Sequence, residues 1–275
     1  MPFRKLPWRS GVAAVLLLLL LQSAFAQSAT WETLHAAGKQ AFTERRYADA
    51  EKSYLLALTD AENFTETDPR LATTVFDLGV LYYAQRRYSD AEPLLQRAVE
   101  LRETGPEIDR PELSKALLQL AEVYRSTHRF GKAESLYQRA LPISKDASNA
   151  GSATTGYIYH DLGLLYSAQD RLSDAEAQYL LAISTFESPS GKNSMGLAFG
   201  LLNLAQTYEE EGKFPDAESQ YRRAITAFQD ASGPNSPNLA LTLESYARLL
   251  KKLKRKDDAA RAEKQAKEIR NHNSL

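Results

Sequence analysis

The sequence predicts an all-α solenoid built from six pairs of antiparallel helices. Three observations lead to this prediction: a short motif that recurs at a nearly constant interval, small residues at fixed distances from it, and helix-breaking segments between the copies. The first residues of successive copies are separated by 41, 42, 42, 42 and 42 residues. The copies begin at Tyr47, Tyr88, Phe130, Leu172, Phe214 and, in a degenerate sixth copy, Lys256.

This interval divides the chain into repeats. We expect a solenoid over residues 27–271, preceded by a separate segment 1–26 and followed by a tail, 272–275. The repeats are expected at about residues 31–64, 70–104, 111–147, 153–188, 194–231 and 236–271.

Each copy contains an alanine, here called the anchor alanine, with a fixed set of neighbours. A second alanine follows it by seven residues, a glycine or alanine precedes it by twelve, and a tyrosine usually precedes it by nine. Spacings of three, four and seven place residues on one face of a helix, so two helices are expected to cross closely at the small residues. The anchor alanines are Ala50, Ala91, Ala133, Ala175, Ala217 and Ala259.

The start of the second helix in each repeat carries polar signals. Ser89 to Glu92 and Ser173 to Glu176 fit a capping box, with the serine as N-cap. Pro215 falls in a first helical turn, where proline is tolerated. The acidic residues of the recurring Asp-Ala-Glu strings are interpreted as partners of the helix dipole.

These residues resemble the tetratricopeptide repeat, whose usual unit is about 34 residues. The longer unit found here, with strings such as Leu201 to Tyr208 and Ala217 to Ile225, resembles the repeats of kinesin light chains. The resemblance implies a right-handed superhelix. In that family the first helices of successive repeats line a concave groove that takes extended peptides or partner helices.

The resemblance also indicates which positions face the groove: eighteen, fifteen, eleven and eight residues before the anchor alanine. Rings at these positions are not needed for the pairing of the two helices, so we predict that they bind a partner. The alternative is that the groove closes and buries them as ordinary core. Only Asn203 keeps the groove asparagine that kinesin-light-chain repeats often carry, so the peptide specificity of that family cannot be transferred. The predicted partner-binding residues are Phe76, Tyr83, Tyr157, His160 and Phe199.

Residues 1–26 have the composition of a secretory signal peptide. Arg4, Lys5 and Arg9 precede an apolar run from Gly11 to Leu21, and the segment ends in Ala-Phe-Ala at Ala26. An uncleaved membrane anchor is the alternative, but the apolar run would span about 16 Å of a ~30 Å hydrocarbon core. We therefore expect cleavage after Ala26, a periplasmic or secreted protein, and no transmembrane segment after cleavage.

Composition and motifs argue against several functions. The chain has no cysteine, which excludes disulfides and thiol chemistry. Its four histidines lack metal-site spacing and no catalytic motif is present, so we predict no enzymatic activity, no cofactor and no metal. Loss of the three cations of residues 1–26 changes the net charge from −1 to about −4, which argues against a nucleic-acid partner.

A basic run near the end of the chain is a candidate contact with an anionic surface: Lys251, Lys252, Lys254, Arg255 and Lys256. The leading functional prediction is an exported scaffold that binds a protein or peptide in its groove. One alternative is an accessory protein or enzyme subunit that docks on cell-wall or anionic envelope material through the basic run. A third is a structural oligomerisation module; the sequence leaves the oligomeric state open.

Overall fold

The computed structural model describes residues 30–65, 67–104, 109–145, 153–190, 192 and 194–273. Regular structure in these residues consists of twelve α-helices, with no strand. The all-α prediction is therefore confirmed. The predicted signal peptide, residues 1–26, lies outside the described residues.

The chain forms two compact units. The first ends at Asp109 and the second begins at Arg110. The helices of the first unit are α1 (residues 30–43), α2 (Tyr47–Ala61), α3 (Pro69–Ala84) and α4 (Tyr88–Thr104). Those of the second are α5 (Arg110–Ser126), α6 (Phe130–Ser144), α7 (Ala153–Ser167), α8 (Leu172–Glu187), α9 (Ser194–Glu210), α10 (Phe214–Ser232), α11 (Pro237–Lys252) and α12 (Lys256–His272).

Within each unit the helices pack in sequence order. The two helices of a repeat form the most extensive contacts, and the second helix of one repeat packs against the first helix of the next. In the second unit the first helices α5, α7 and α9 also contact one another in succession. Each repeat therefore buries its apolar faces against its neighbours, as in other helical repeat proteins.

The small residues lie where helices cross. All six anchor alanines are fully buried, at 0% exposure. A Cβ added to Gly38 would approach the Tyr54 ring to 2.6 Å, and one added to Gly163 would approach the Tyr179 ring to 2.5 Å. The tyrosine of the second helix therefore fills the space that the glycine of the first helix leaves open.

The capping-box prediction is wrong. Helix α8 begins at Leu172 and α4 at Tyr88, so Ser173 and Ser89 lie inside the first turn and not at the N-cap. The N-cap residue of α8 is Arg171, whose side chain makes no capping hydrogen bond. Pro215 does lie in the first turn of α10, as predicted.

A different feature shapes these turns. The residue five positions before each anchor alanine has a left-handed conformation, with φ between 58° and 76°. Its N–H and the next N–H donate to carbonyls of the last helical turn, as Arg45 N to Phe42 O (3.0 Å) and Arg46 N to Ala41 O (2.8 Å) illustrate. This pattern is the Schellman motif, which ends the first helix of every repeat. The left-handed residues are Arg45, Arg86, His128, Asp170, Gly212 and Lys254.

Candidate functional site

The two predicted ring residues of the first unit lie partly within its own packing. Phe76 is half-buried against a core of Ala61, Leu71, Val75 and Ala98, and the Arg102 guanidinium lies 4.5 Å from its ring centroid. Tyr83 is half-buried, with its ring centroid 5.7 Å from that of Tyr88. The Phe76 ring therefore takes part in the packing of the first unit.

Two predicted rings of the second unit remain more accessible. Tyr157 on α7 is 38% exposed, and its ring contacts Phe186 at a centroid distance of 5.2 Å. Phe199 on α9 is half-buried and meets Phe228 edge-on at 5.1 Å. In both cases a fully buried phenylalanine of the second helix supports a ring that lies closer to the surface.

His160, the fifth predicted residue, connects two repeats. Its Nδ1 lies 2.9 Å from Asp161 Oδ1, and its Nε2 lies 2.8 Å from Asn203 Nδ2 on α9. When the Asn203 amide donates to Nε2, the imidazole is in its neutral form and Nδ1–H donates to Asp161. The side chain is 13% exposed, so it is held by the protein's own hydrogen bonds. Burial raises the pKa of Asp161, opposed by the hydrogen bond from His160.

The first unit contains a related pair at the same repeat positions. His35 Nε2 lies 2.7 Å from Asp77 Oδ2, and its ring stacks on Trp31 at 4.7 Å. Both histidines lie fifteen residues before an anchor alanine, and both reach the residue fourteen before the next one. This side-chain bridge joins consecutive first helices through both histidines.

A second polar cluster occupies the inner side of α5. Arg125 donates to Glu122 at 2.9 Å and 2.7 Å, and the Tyr137 hydroxyl also donates to Glu122. Burial raises the pKa of Tyr137, and the negative charges of Asp161 and Glu122 act in the same direction. These groups satisfy one another, so this part of the inner surface is closed.

The inner side of the last two repeats is more open. A cavity of about 370 Å³ lies between α9, α10 and α11. In it, Glu209 accepts a hydrogen bond from the Tyr221 hydroxyl (2.9 Å) and is 2.6 Å from Lys252 Nζ. Arg248 donates to Ser245 Oγ at 2.9 Å and forms no ion pair within the described part of the chain. The cavity is lined by Gln206, Glu209, Glu210, Tyr221, Arg248 and Lys252.

Another set of polar contacts joins successive repeats near their turns. Glu51 accepts hydrogen bonds from the Tyr82 hydroxyl (2.9 Å) and from Arg87 Nη1, which lies 3.0 Å from Oε2. The equivalent glutamates of the second unit accept from a tyrosine of the next repeat, and a basic residue at the next turn lies near each one. These groups are Glu134 with Tyr166 and Arg171, Glu176 with Tyr208 and Lys213, and Glu218 with Tyr246 and Arg255.

The interpretation of these glutamates as partners of the helix dipole is therefore incomplete. They lie just beyond the first turn of a second helix, and their hydrogen bonds reach the following repeat. The sequence does carry a signal for this arrangement. In each group a glutamate follows the anchor alanine by one residue, and a basic residue precedes the next anchor alanine by four.

Comparison with known proteins identifies the repeats. A model of the tetratricopeptide repeat matches residues 32–104, 112–188 and 197–272, which together make up most of the chain. The chain belongs to the tetratricopeptide repeat family. No match was found among curated protein sequences.

Solved structures of other tetratricopeptide-like proteins share the fold. A putative kinesin light chain repeat protein of Podosopora anserina is 14% identical, with a TM-score of 0.60 over 72% of this chain and 94% of that chain. The Rap conjugation regulator of plasmid pLS20, in complex with the Phr* peptide, is 15% identical, with a TM-score of 0.59 over 91% and 76%. Aspartyl phosphate phosphatase F of Bacillus subtilis is 16% identical, with a TM-score of 0.68 over 98% and 77%.

The basic run of this tetratricopeptide repeat chain does not form one free cationic patch. Lys251 pairs with Glu263, Lys252 with Glu209, and Arg255 with both Glu218 and Asp258. The run crosses the turn between α11 and α12, so its side chains point toward different helices. Lys254 and Lys256 are exposed and have no ion pair within the described ranges.

Two further site types are absent from the described tetratricopeptide repeats. No group of three or more histidine, cysteine, aspartate or glutamate side chains is arranged there to hold a metal ion. Among the same residues, no helix combines the length and apolar character needed to cross a membrane.

Proposed function

We propose that this protein is an exported, non-enzymatic adaptor that holds a peptide or protein partner on the inner faces of its first helices. One observation carries the proposal: Tyr157, Phe199 and Leu241 occupy the same position on α7, α9 and α11, and all three retain accessible apolar surface. Contiguous apolar surface on a soluble protein commonly marks an interaction site, and aromatic residues contribute strongly to binding energy. The peptide-bound Rap regulator, which shares the fold, supports this choice of partner.

Export is the second part of the proposal. It is supported by the basic start, the short apolar run and the Ala-Phe-Ala ending of residues 1–26. We expect the protein recovered from the periplasm or the medium to begin at Gln27, as determined by N-terminal sequencing. Membrane-bound protein that retains Met1 would contradict export by cleavage.

The partner site is tested by the double substitution Tyr157→Ala and Phe199→Ala on the first helices α7 and α9 of the second unit. We expect helicity and melting temperature close to those of the unchanged protein, with loss of partner capture from native envelope extracts. Leu55→Ala with Leu180→Ala is a matched control, because these leucines are exposed on second helices. A double variant that unfolds would assign both rings to the core. One that folds and still captures the partner would place the site elsewhere.

Docking on anionic envelope material has less support than partner binding. Three of the five residues of the basic run are already neutralised by carboxylates of the same unit. Sedimentation of the protein with purified cell-wall material measures this alternative directly.

A further inference from the structure

We propose that the inner face of α7, α9 and α11 recognises an extended peptide in which a large apolar side chain and a carboxylate are three residues apart. This inference rests on the proposed function and goes beyond it by specifying the chemistry of the partner. It follows from an apolar row at one end of these helices, a guanidinium near the other end of α11 that has no ion pair among the described residues, and the distance between Leu241 and this guanidinium along α11.

The apolar row is formed by the residues eighteen positions before the anchor alanines of the last three repeats. Tyr157 and Phe199 rest edge-on against buried phenylalanines, and Leu241 is 52% exposed. The equivalent residue of α5 is Lys115, which pairs with Glu112. Within the second unit the apolar row therefore begins at α7. It offers a surface for an apolar side chain of a bound peptide.

The charged part of the site is the cavity between α9 and α11. Glu209 is already satisfied by Tyr221 and Lys252, whereas Arg248 is exposed and donates only to the Ser245 hydroxyl within the described residues. A guanidinium with free N–H groups binds a carboxylate in a two-pronged geometry. Glu210, which also lines the cavity, provides an acceptor for a backbone N–H of the same peptide.

The separation of these two parts sets the spacing in the peptide. Leu241 and Arg248 lie on the same helix, seven residues apart, which is two turns and about 10 Å along the helix axis. An extended peptide advances about 3.3 Å per residue, so about three residues cover this distance. The expected pattern is therefore an apolar residue, two unspecified residues and an aspartate or glutamate, in either chain direction.

A helical partner would show a different pattern. At about 1.5 Å per residue, a helix needs seven residues to cover the same distance. The spacing between the apolar and acidic residues of a bound peptide therefore distinguishes an extended occupant from a helical one, even while the native partner is unidentified.

The test is selection of a displayed library of random twelve-residue peptides on the immobilised full chain. We expect enrichment of peptides with the apolar and acidic residues three apart. Against Arg248→Glu, the enriched peptides should carry lysine or arginine in place of the acid. A labelled peptide selected on the unchanged chain should bind Arg248→Glu at least tenfold more weakly, as measured by fluorescence anisotropy. Leu241→Ser should remove the preference for the apolar residue.

Two matched variants control for nonspecific effects. Lys267→Glu makes the same charge reversal on the exposed face of α12, and Leu180→Ser makes the same polar replacement at a 45% exposed leucine of α8. Both are expected to select the same peptides as the unchanged chain. Circular dichroism of all four variants verifies that each remains folded.

The outcomes separate this inference from the proposed function. Three results would overturn the inference without contradicting peptide binding. The enriched peptides could lack the spaced apolar and acidic pair, they could show a seven-residue spacing, or the Arg248→Glu variant could select the same peptides as the unchanged chain. Absence of enrichment on the unchanged chain also overturns it. In that case capture of the native partner by the Tyr157 and Phe199 double variant decides the proposed function independently.

Discussion

The turn between the two helices of each repeat, with the glutamate contacts beside it, is here called the turn edge. Its residues recur from repeat to repeat, whereas those on the inner face of α7, α9 and α11 vary more. At the turn edge the same contacts recur: a buried anchor alanine, a left-handed residue, and a glutamate that accepts from the next repeat. On the inner face, equivalent positions differ from helix to helix, as Gln206 and Arg248 do at one shared position. The recurring contacts stabilise the packing of the repeats, whereas residues such as Gln206 and Arg248 make no contact that all the repeats share.

The largest loss of stability is expected for Ala175→Leu. Ala175 is fully buried at a helix crossing, so a leucine forces the helices apart and lowers the free energy of unfolding by about 1–3 kcal/mol. Thermal and denaturant unfolding measure the change. Ala177→Leu on the exposed face of the same helix is the control, with unfolding close to that of the unchanged protein. If Ala175→Leu and Ala177→Leu lowered the free energy of unfolding equally, the anchor alanine would be no more sensitive to a larger side chain than the exposed face of α8.

A smaller loss is expected for Glu218→Gln at the turn edge. The carboxylate accepts from Arg255 and Tyr246, and weakening these charge-assisted bonds should reduce stability by about 1–2 kcal/mol. Glu268→Gln, at an exposed position of α12, is the control and should change little. If Glu218→Gln also unfolds like the unchanged protein, the contacts between repeats contribute no stability.

The same variant gives a pH dependence with a definite sign. Burial by itself would raise the pKa of Glu218, but hydrogen bonds from Arg255, Arg222 and Tyr246 lower it overall. A lowered folded-state pKa contributes stability above the unfolded value of about 4.3, and the contribution is lost as pH falls through the folded value. The stability difference between the unchanged protein and Glu218→Gln should therefore persist at pH 7 and shrink below about pH 4. A constant difference across this range would contradict the assignment.

A loss of about 1 kcal/mol is expected for Gly212→Ala. Gly212 has φ of +76° and no atom within 4 Å of an added Cβ, so the cost is conformational and not steric. Gly131→Ala in the first turn of α6 also meets no neighbouring atom, but it lacks a positive φ and should be neutral or stabilising. Matching effects of the two substitutions would show that the left-handed turn is not a source of strain.

The smallest effect on stability is expected on the inner face. Leu241→Ser removes a side chain that is already half exposed, so unfolding should change by less than about 1 kcal/mol. Chemical denaturation compares it with Ala175→Leu. If Leu241→Ser lowered the free energy of unfolding as much as Ala175→Leu does, the Leu241 side chain would contribute to the stability of the fold.

The sequence was sufficient to predict the repeats because helix crossings impose small residues at short, regular spacings. The left-handed residues of the turns could not be predicted from the sequence because five of the six are not glycine, as His128 and Asp170 show. The contacts of the glutamates were missed because their partners lie about one repeat away, 32 residues in the case of Glu176 and Tyr208. The ring of His160 was placed on the correct helix, but its burial depends on Asn203, 43 residues later.

The glutamate contacts all run in the same direction along the chain, from one repeat to the next. Each of these repeats supplies its acceptor to the repeat that follows, so a duplicated internal copy would find both the donors and the acceptor it needs. The sixth copy breaks this rule, because Ala260 occupies the position of the glutamate. A seventh copy placed after it would meet a methyl group where its tyrosine and basic residue require a carboxylate. Changes in copy number are therefore expected to be tolerated in the interior of the array and resisted beyond the sixth repeat.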